Sequence, residues 1–172
     1  MKNRLRSSID SPGQSFLALI GFLAATFCAG LLGAWASIQA GKMYTVMKLP
    51  SWAPPAWLFG PVWTTLYVMM ALAAWLVWRR RHSMRVDFCL LVFLMHLVVQ
   101  ALWSGIFFGL GQAGWAMLDI LLLGAMVTWL TCCFWRINRL AGWLFLPYLL
   151  WVTFASVLNA AIWILNGHTL PH

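Results

Sequence analysis

Three residues of one apolar segment stand at a spacing that could hold a ligand, namely His96, Gln100 and Trp103. Separations of four and three residues place them on one face of a helix. Imidazole and carboxamide groups are costly in an apolar segment, and such groups usually face the interior of a helix bundle and mark a site. The chemistry they offer is hydrogen bonding to a bound molecule. Hydrogen bonds between helices that only stabilise the bundle are the alternative.

A second stripe follows in the last apolar segment. Its members repeat at helical spacing: Trp151, Phe154, Ala155, Leu158, Asn159 and Ile162. A stripe of this kind is usually part of a core. Asn159 adds information because its carboxamide needs hydrogen-bond partners.

Tryptophan is the most unusual feature of the composition, with 13 residues in the chain. Those near the ends of apolar segments fit an interfacial aromatic belt. The others lie deeper: Trp63, Trp75, Trp103, Trp129, Trp151 and Trp163. A buried indole N–H needs a partner. Deep tryptophans beside a stiff loop therefore predict a cavity for a large flat ligand.

The residue pattern does not indicate a nucleophilic catalytic site or a metal site. No Ser-His-acid set is readable, and His96 has no evident carboxylate partner. Asp119 is the one acid well inside an apolar segment, and a structural role is favoured for it. The cysteines have no metal-ligand spacing and are interpreted as small apolar packing residues; they are Cys28, Cys89, Cys132 and Cys133.

The elements that position these residues follow from composition, since 63% of the chain is hydrophobic and 8% is charged. Five stretches reach the roughly 20 apolar residues that cross a membrane as a helix; they are 16–40, 58–78, 88–110, 115–135 and 142–165. The predicted fold class is an all-α membrane protein, a five-transmembrane-helix bundle. Residues 1–15 form a polar N-terminal segment, 16–166 the transmembrane domain and 167–172 a short C-terminal tail.

The net charge of +8 is distributed asymmetrically. Nine of the eleven basic residues fall before the first segment, between the second and third, or between the fourth and fifth. The opposite side holds Lys42 and Lys48. This positive-inside pattern predicts an integral protein of a bacterial cell membrane with a cytoplasmic N-terminus, and it argues against nucleic acid as a partner.

The connection 41–57 contains Pro50, Pro54 and Pro55 and is predicted to be stiff and non-helical, a lid that includes Trp52. Gly105 and Gly109 form a face of small residues that permits close helix packing in lipid. That face is a candidate oligomer surface, and packing within the chain is the equal alternative.

The order of several motifs resembles the TspO/MBR family, the tryptophan-rich sensory and translocator proteins. The resemblance runs from about residue 15 to 166 and is carried by Pro50-Ser51-Trp52-Ala53-Pro54-Pro55, Gly60-Pro61-Val62-Trp63-Thr64-Thr65-Leu66-Tyr67, Trp103-Ser104 with Phe107-Phe108-Gly109, Gly114-Trp115-Ala116 with Asp119, and Pro147-Tyr148-Leu149-Leu150-Trp151 through Leu158-Asn159.

The resemblance implies a five-helix bundle, often dimeric, with a ligand pocket under the loop between the first two helices. It implies porphyrin or haem as ligand, with no obligatory cofactor, and membrane lipid and a homodimer as further partners. Isoquinoline carboxamide and benzodiazepine-type drugs are other family ligands, and cholesterol is a ligand of some members. The ligand-binding positions fall on Tyr44, Trp63, Tyr67, His96, Gln100, Trp151, Phe154, Ala155 and Leu158.

Three departures from the family pattern stand out. His96 and Gln100 occupy positions where the family usually has Gln or Asn and Asn respectively, and Leu49 replaces a basic residue. The stretch 160–163 lacks the family's sterol motif.

A porphyrin-binding membrane sensor, regulator or carrier is the favoured function. A light-dependent porphyrin-degrading enzyme and a transporter of small molecules or lipids are the alternatives.

Overall fold

The computed structural model describes residues 12–38, 40–81 and 84–170. Within these ranges the chain forms six α-helices: α1 (Pro12–Ala36), α2 (Ala40–Val46), α3 (Phe59–Trp78), α4 (Met84–Ser104), α5 (Ala113–Ile137) and α6 (Arg139–Asn166). A 3₁₀ turn (Ala56–Leu58) leads into α3, and a π-helical turn (Gly105–Gly109) continues α4. Five of these helical segments are long and apolar enough to cross a membrane. The predicted five-helix bundle is confirmed.

The helix bounds differ from the predicted ones at several ends. The first helix occupies Pro12–Ala36 instead of 16–40, so residues 12–15 of the predicted polar segment are helical. The remainder of that segment, 1–11, lies outside the described residues. The connection after α1 was predicted to be non-helical, which is wrong for α2. The prolines that stiffen this connection all follow α2, so nothing in Ala40–Val46 prevents a short helix.

The bundle turns its largest apolar side chains outward as well as inward. Leu31, Val98 and Ile164 are 68%, 61% and 83% exposed, although all three are aliphatic. Lipid is the solvent for such a surface, because water would make it an aggregation site. The interior core instead contains rings from three helices, including Phe93, Phe134 and Phe145.

The packing of the helices forms a second apolar cluster at one end of the bundle. The helix α1 packs against α3 and α4, and α6 packs against α5 and α3. A second apolar cluster lies at the end where α2 sits and contains Met43, Phe107, Leu158, Ile162 and Leu170. The connection between α1 and α3 therefore packs its apolar side chains onto the ends of α4 and α6.

The interpretation of all four cysteines as packing residues is wrong for one pair. Cys89 of α4 and Cys133 of α5 form a disulfide, with their Cα atoms 6.7 Å apart. Cys28 and Cys132 are free and exposed. The sequence could not indicate this pairing because two residues 44 positions apart meet only after α4 and α5 have packed.

Candidate ligand site

A cavity of about 450 Å³ lies between α1 and α3 and reaches the end of α4. Small residues of α1, Gly30, Gly33 and Ala34, leave the space that the cavity occupies. The opposite wall is aromatic and consists of Phe59, Trp63, Tyr67, Trp103 and Phe108. Ligand pockets usually measure 300–1,000 Å³ and are lined mainly by apolar and aromatic groups with few polar ones. This cavity fits that description.

A narrow cleft adjoins the cavity and has a free volume of about 20 Å³. Three residues, Phe59, Trp103 and Phe108, line both spaces. The remaining lining comes from α2, the π-helical turn and α6: Tyr44, Phe107, Trp151, Phe154, Ala155, Leu158, Asn159 and Ile162. The cleft is thus filled by its own aromatic side chains, and a flat ligand can enter it only if some of these rings move apart.

The π-helical turn Gly105–Gly109 brings two adjacent aromatic residues to this place. The ring of Phe107 stacks on Trp103 at 5.2 Å, and that of Phe108 meets Trp103 edge-on at 5.9 Å. The backbone N–H of Leu110 donates to Gly105 O, 2.8 Å away, which is the five-residue bond of a π turn. Such turns occur frequently at functional sites.

The predicted lid is fixed in place by its own hydrogen bonds. The hydroxyl of Tyr44 donates to Pro54 O at 2.6 Å, and Ala53 N–H donates to Pro50 O at 2.9 Å. Trp52 packs edge-on against Phe154, with ring centroids 5.9 Å apart. Burial raises the pKa of the Tyr44 hydroxyl above its usual value near 10.0. Of these lid residues, Tyr44 itself lines the cleft.

Trp63 and Trp151, two of the predicted ligand-binding residues, line adjoining spaces that share Phe59 in their walls. Trp63 stacks on Tyr67 with centroids 5.4 Å apart and lines the cavity. Trp151 lines the cleft and meets Phe59 edge-on at 5.8 Å. The two tryptophans therefore belong to adjoining parts of one aromatic wall.

His96 and Gln100 lie behind that wall. Both are buried, with exposures of 0% and 2%, and neither is among the residues that line the cavity or the cleft. Nε2 of Gln100 donates to the Tyr67 hydroxyl at 2.9 Å, so Gln100 reaches the cavity only through Tyr67. Nδ1 of His96 donates to the carbonyl of Phe93, and its ring centroid lies 5.7 Å from that of Tyr148.

Asn159 has the partners that its burial requires. Its Oδ1 accepts from Trp103 Nε1–H at 3.2 Å, and its Nδ2 donates to Ala113 O at 3.0 Å. One side chain of α6 thereby binds α4 and α5 together below the cleft. A deep tryptophan elsewhere, Trp75, donates to Ser15 O at 2.8 Å.

The small-residue face predicted for oligomers contacts α1 of the same chain. A Cβ atom added at Gly109 would lie 3.0 Å from Ala36 O, and one at Gly105 would lie 3.7 Å from Ala36 Cβ. The same glycines line an outward-facing groove of about 1010 Å³ between α1 and α4. Packing within the chain accounts for the glycines, and an oligomer at this groove stays a prediction.

Sequence reasoning missed residues of the site, among them Phe59 and Phe107. Phe59 and Phe107 line the cleft although neither was among the predicted binding residues. Their signal was the aromatic residue next to glycine in Phe59-Gly60 and the motif around Phe107. Within the described part of the chain, no three His, Cys, Asp or Glu residues come together in a way that could hold a metal ion.

The sequence matches a known protein family over most of its length. The profile of the TspO/MBR family matches residues 22–164. The chain belongs to the TspO/MBR family. The match reaches all five long helices and includes every residue that lines the cavity and the cleft.

Relatives share this region over most of their length. Protein CrtK of Rhodobacter capsulatus is 38% identical over 151 residues, which cover 87% of this chain and 93% of the relative. The human translocator protein is 36% identical over 124 residues, or 71% and 73% of the two chains. Tryptophan-rich protein TspO of Chlorobaculum tepidum is 36% identical over 151 residues, or 86% and 89%. Membership and the five apolar helices together make the chain an integral membrane protein.

Proposed function

We propose that this protein binds a porphyrin or haem between the cavity and the cleft, as part of a membrane sensor or translocator. The observation that carries the proposal is the aromatic lining of the two adjoining spaces, with Trp63 in the cavity, Trp151 in the cleft and Phe59 in both, beside about 450 Å³ of free space. Family membership supports the broader role, since relatives are named translocator protein and tryptophan-rich sensory protein.

A flat conjugated disc matches the chemistry of this wall. Its faces are apolar and would stack on Trp63 and Trp151. The comparable stacking of a nucleic-acid base on an aromatic side chain contributes about 1–3 kcal/mol. The carboxylates of a porphyrin need water or a cation. Lys42 and Lys48 are exposed on the α2 side of the site and would meet these carboxylates at its rim.

Binding in this place does not use iron ligation by His96. The imidazole is fully buried, packs against Phe145 and Tyr148, and lines neither the cavity nor the cleft. A metal-free porphyrin and haem are therefore expected to bind with similar affinity. Gln100 would act by holding Tyr67 in the wall, and His96 by packing against Tyr148, which meets Trp63 edge-on. Neither side chain would touch the disc.

Titration of the purified protein with protoporphyrin IX tests the proposal through quenching of tryptophan fluorescence. We expect the affinity of Trp63→Ala and of Trp151→Ala to fall by about tenfold, the effect of losing about 1.4 kcal/mol of stacking. Trp129→Ala is the matched control, because Trp129 packs against Phe88 on another face of the bundle. Equal affinity in all three variants would place the porphyrin elsewhere.

Light-dependent breakdown of the porphyrin is a second candidate, favoured by the stacking of Trp63 on Tyr67 at the cavity wall. Two oxidisable side chains next to an excited disc can donate electrons to it. Illumination of the complex should then yield a product absent from free porphyrin in detergent, and Trp63→Phe should lower its yield. Identical bleaching of free and bound porphyrin would exclude this activity.

A further inference from the structure

The segment after α6, residues 167–170, folds back over the bundle and is called the strap below. Leu170 N–H donates to Gly111 O at 2.7 Å, and Ala113 N–H donates to the carbonyl of His168 at 3.0 Å. Gln112 and Thr169 form an antiparallel bridge between these two bonds. The strap thus pairs with the connection between the π-helical turn and α5.

Gly167 allows the chain to make this reversal. Its φ of +82° lies in the left-handed region, which L side chains rarely adopt, while its N–H still donates to Trp163 O at 2.8 Å. A Cβ atom added at Gly167 would meet nothing within 4 Å. The glycine is therefore required by backbone conformation and not by space.

The strap is also anchored under the lid. Leu170 is 2% exposed and belongs to the apolar cluster that contains Met43 and Met47 from α2 and its exit, and Leu158 and Ile162 from the cleft. A residue just before the strap holds the lid backbone directly. Asn166 Oδ1 accepts from Lys48 N–H at 2.8 Å, and its Nδ2 donates to Lys48 O at 2.9 Å.

We propose that the strap holds α2 and the loop up to Leu58 closed over the ligand cleft, and that its release opens the cleft. The free volume of about 20 Å³ means that a ligand enters only after the lid and its rings have moved. The contacts that oppose this movement are the lid's own Tyr44–Pro54 bond, the Asn166–Lys48 pair and the Leu170 anchor. The Leu170 anchor belongs to the strap itself, and the Asn166–Lys48 pair comes from the last residue of α6, to which the strap is joined. The regulation of ligand entry proposed here rests on the ligand site proposed above.

Hydrogen–deuterium exchange of the ligand-free protein measures lid opening without any assumption about the ligand. In Gly167→Ala we expect residues 43–58 to exchange about fivefold faster, because a left-handed backbone costs a non-glycine residue enough to shift the closed–open equilibrium by that factor. Leu170→Ala should act in the same direction by removing the anchor. Gly21→Ala is the control, since its added Cβ also meets nothing within 4 Å and lies in α1.

A reversible cross-link that fixes the strap to the connection before α5 tests whether lid opening then becomes slower. This test does not require a variant that destabilises the strap. Gln112 and Thr169 face each other between two ladder bonds, a pairing in which Cα atoms lie near 4.5 Å and a disulfide can form. Gln112→Cys with Thr169→Cys, in a background of Cys28→Ala and Cys132→Ala, should slow exchange of residues 43–58 when oxidised and restore it when reduced. The background protein under the same redox treatment controls for the Cys89–Cys133 disulfide.

Release of protoporphyrin IX from the same variants connects the strap to the site. We expect release to be faster in Gly167→Ala and slower in the oxidised cross-linked protein. Unchanged exchange in all strap variants would overturn the proposal, whatever the porphyrin does. If the strap variants alter exchange but the protein binds no porphyrin, the proposed role of the strap is supported and the proposed ligand is rejected. The two proposals can therefore fail separately.

Discussion

Gly30 is the residue at which α1 comes closest to the cavity wall. A Cβ atom at this position would lie 2.7 Å from Cζ of Tyr67, whereas one at Gly21, nine residues earlier in α1, would meet nothing within 4 Å. The two glycines provide a matched pair for the same substitution in one helix.

We expect Gly30→Ala to destabilise the protein by about 1–3 kcal/mol, the usual cost of forcing extra volume into a packed place. Gly21→Ala should be neutral or stabilising by up to about 1 kcal/mol, since alanine favours helix. Thermal unfolding in detergent measures both. Equal melting temperatures would mean that Tyr67 moves aside freely.

The hydrogen bond between Gln100 and Tyr67 is a second test at this scale. Bonds of this kind between membrane helices contribute about 0.6 kcal/mol on average. A double-mutant cycle of Tyr67→Phe and Gln100→Leu should give a coupling of about 0.6–1.7 kcal/mol. Thr131→Val, whose hydroxyl bonds within α5, should show no coupling to Tyr67→Phe. Additive effects of Tyr67→Phe and Gln100→Leu would show that the bond contributes nothing.

At the scale of elements, α2 is held to the loop by the hydroxyl of Tyr44. Removing that hydroxyl in Tyr44→Phe should accelerate exchange of residues 50–58 about fivefold, the effect of losing a hydrogen bond worth about 1 kcal/mol. Thr45→Val is the control, because the Thr45 hydroxyl bonds within α2 to Lys42 O. Identical exchange in Tyr44→Phe and the parent protein would contradict the assignment.

Because burial in the closed lid raises the pKa of Tyr44, the stability of the closed lid depends on pH. In the open lid the hydroxyl titrates near its usual 10.0, and in the closed lid burial holds the proton to higher pH. Closure is therefore fully stabilised below pH 10 and weakens as the pH rises through the closed-state pKa. We expect ligand release to accelerate above about pH 10, and this acceleration should be smaller in Tyr44→Phe. An identical pH profile in both proteins would separate lid closure from Tyr44.

The elements that the sequence predicted best are the helices whose length and apolar composition suit a lipid environment. The five long helices follow from apolar length, and their ends moved by a few residues because helix caps and frayed turns carry weak signals. The short helix α2 and the π turn were not predicted, since each is stabilised by packing against residues far along the chain. Periodicity places His96 and Gln100 on one helix face with Trp103. It could not indicate that Tyr67 of α3 would separate Gln100 from the cavity, or that His96 would pack against Tyr148 of α6.

At the scale of the whole molecule, the groove between α1 and α4 is the predicted docking surface for a second copy. We expect Val98→Trp to weaken any dimer, because Val98 lines this groove and is 61% exposed, so a larger side chain there disturbs few contacts within the chain. Leu122→Trp on α5 is the control, with 54% exposure. Sedimentation in detergent measures the mass. Equal dimer fractions in both variants would place the interface elsewhere.

The distribution of basic residues predicts the orientation of the protein in the membrane. Arg79, Arg80 and Arg81 follow α3, and Arg136 lies in the last turn of α5, so all four lie at one end of the bundle. Lys48 lies at the other end, where the lid and the strap are. The positive-inside rule then puts the ligand site on the non-cytoplasmic side.

A thiol introduced by Lys48→Cys, with Cys28 and Cys132 replaced by alanine, should react with a membrane-impermeant maleimide added to intact spheroplasts. The Arg80→Cys thiol should react only after the membrane is opened, because its end of the bundle faces the cytoplasm. Labelling in the reverse order would put the lid and the strap in the cytoplasm, and ligands would then reach the cleft from inside the cell.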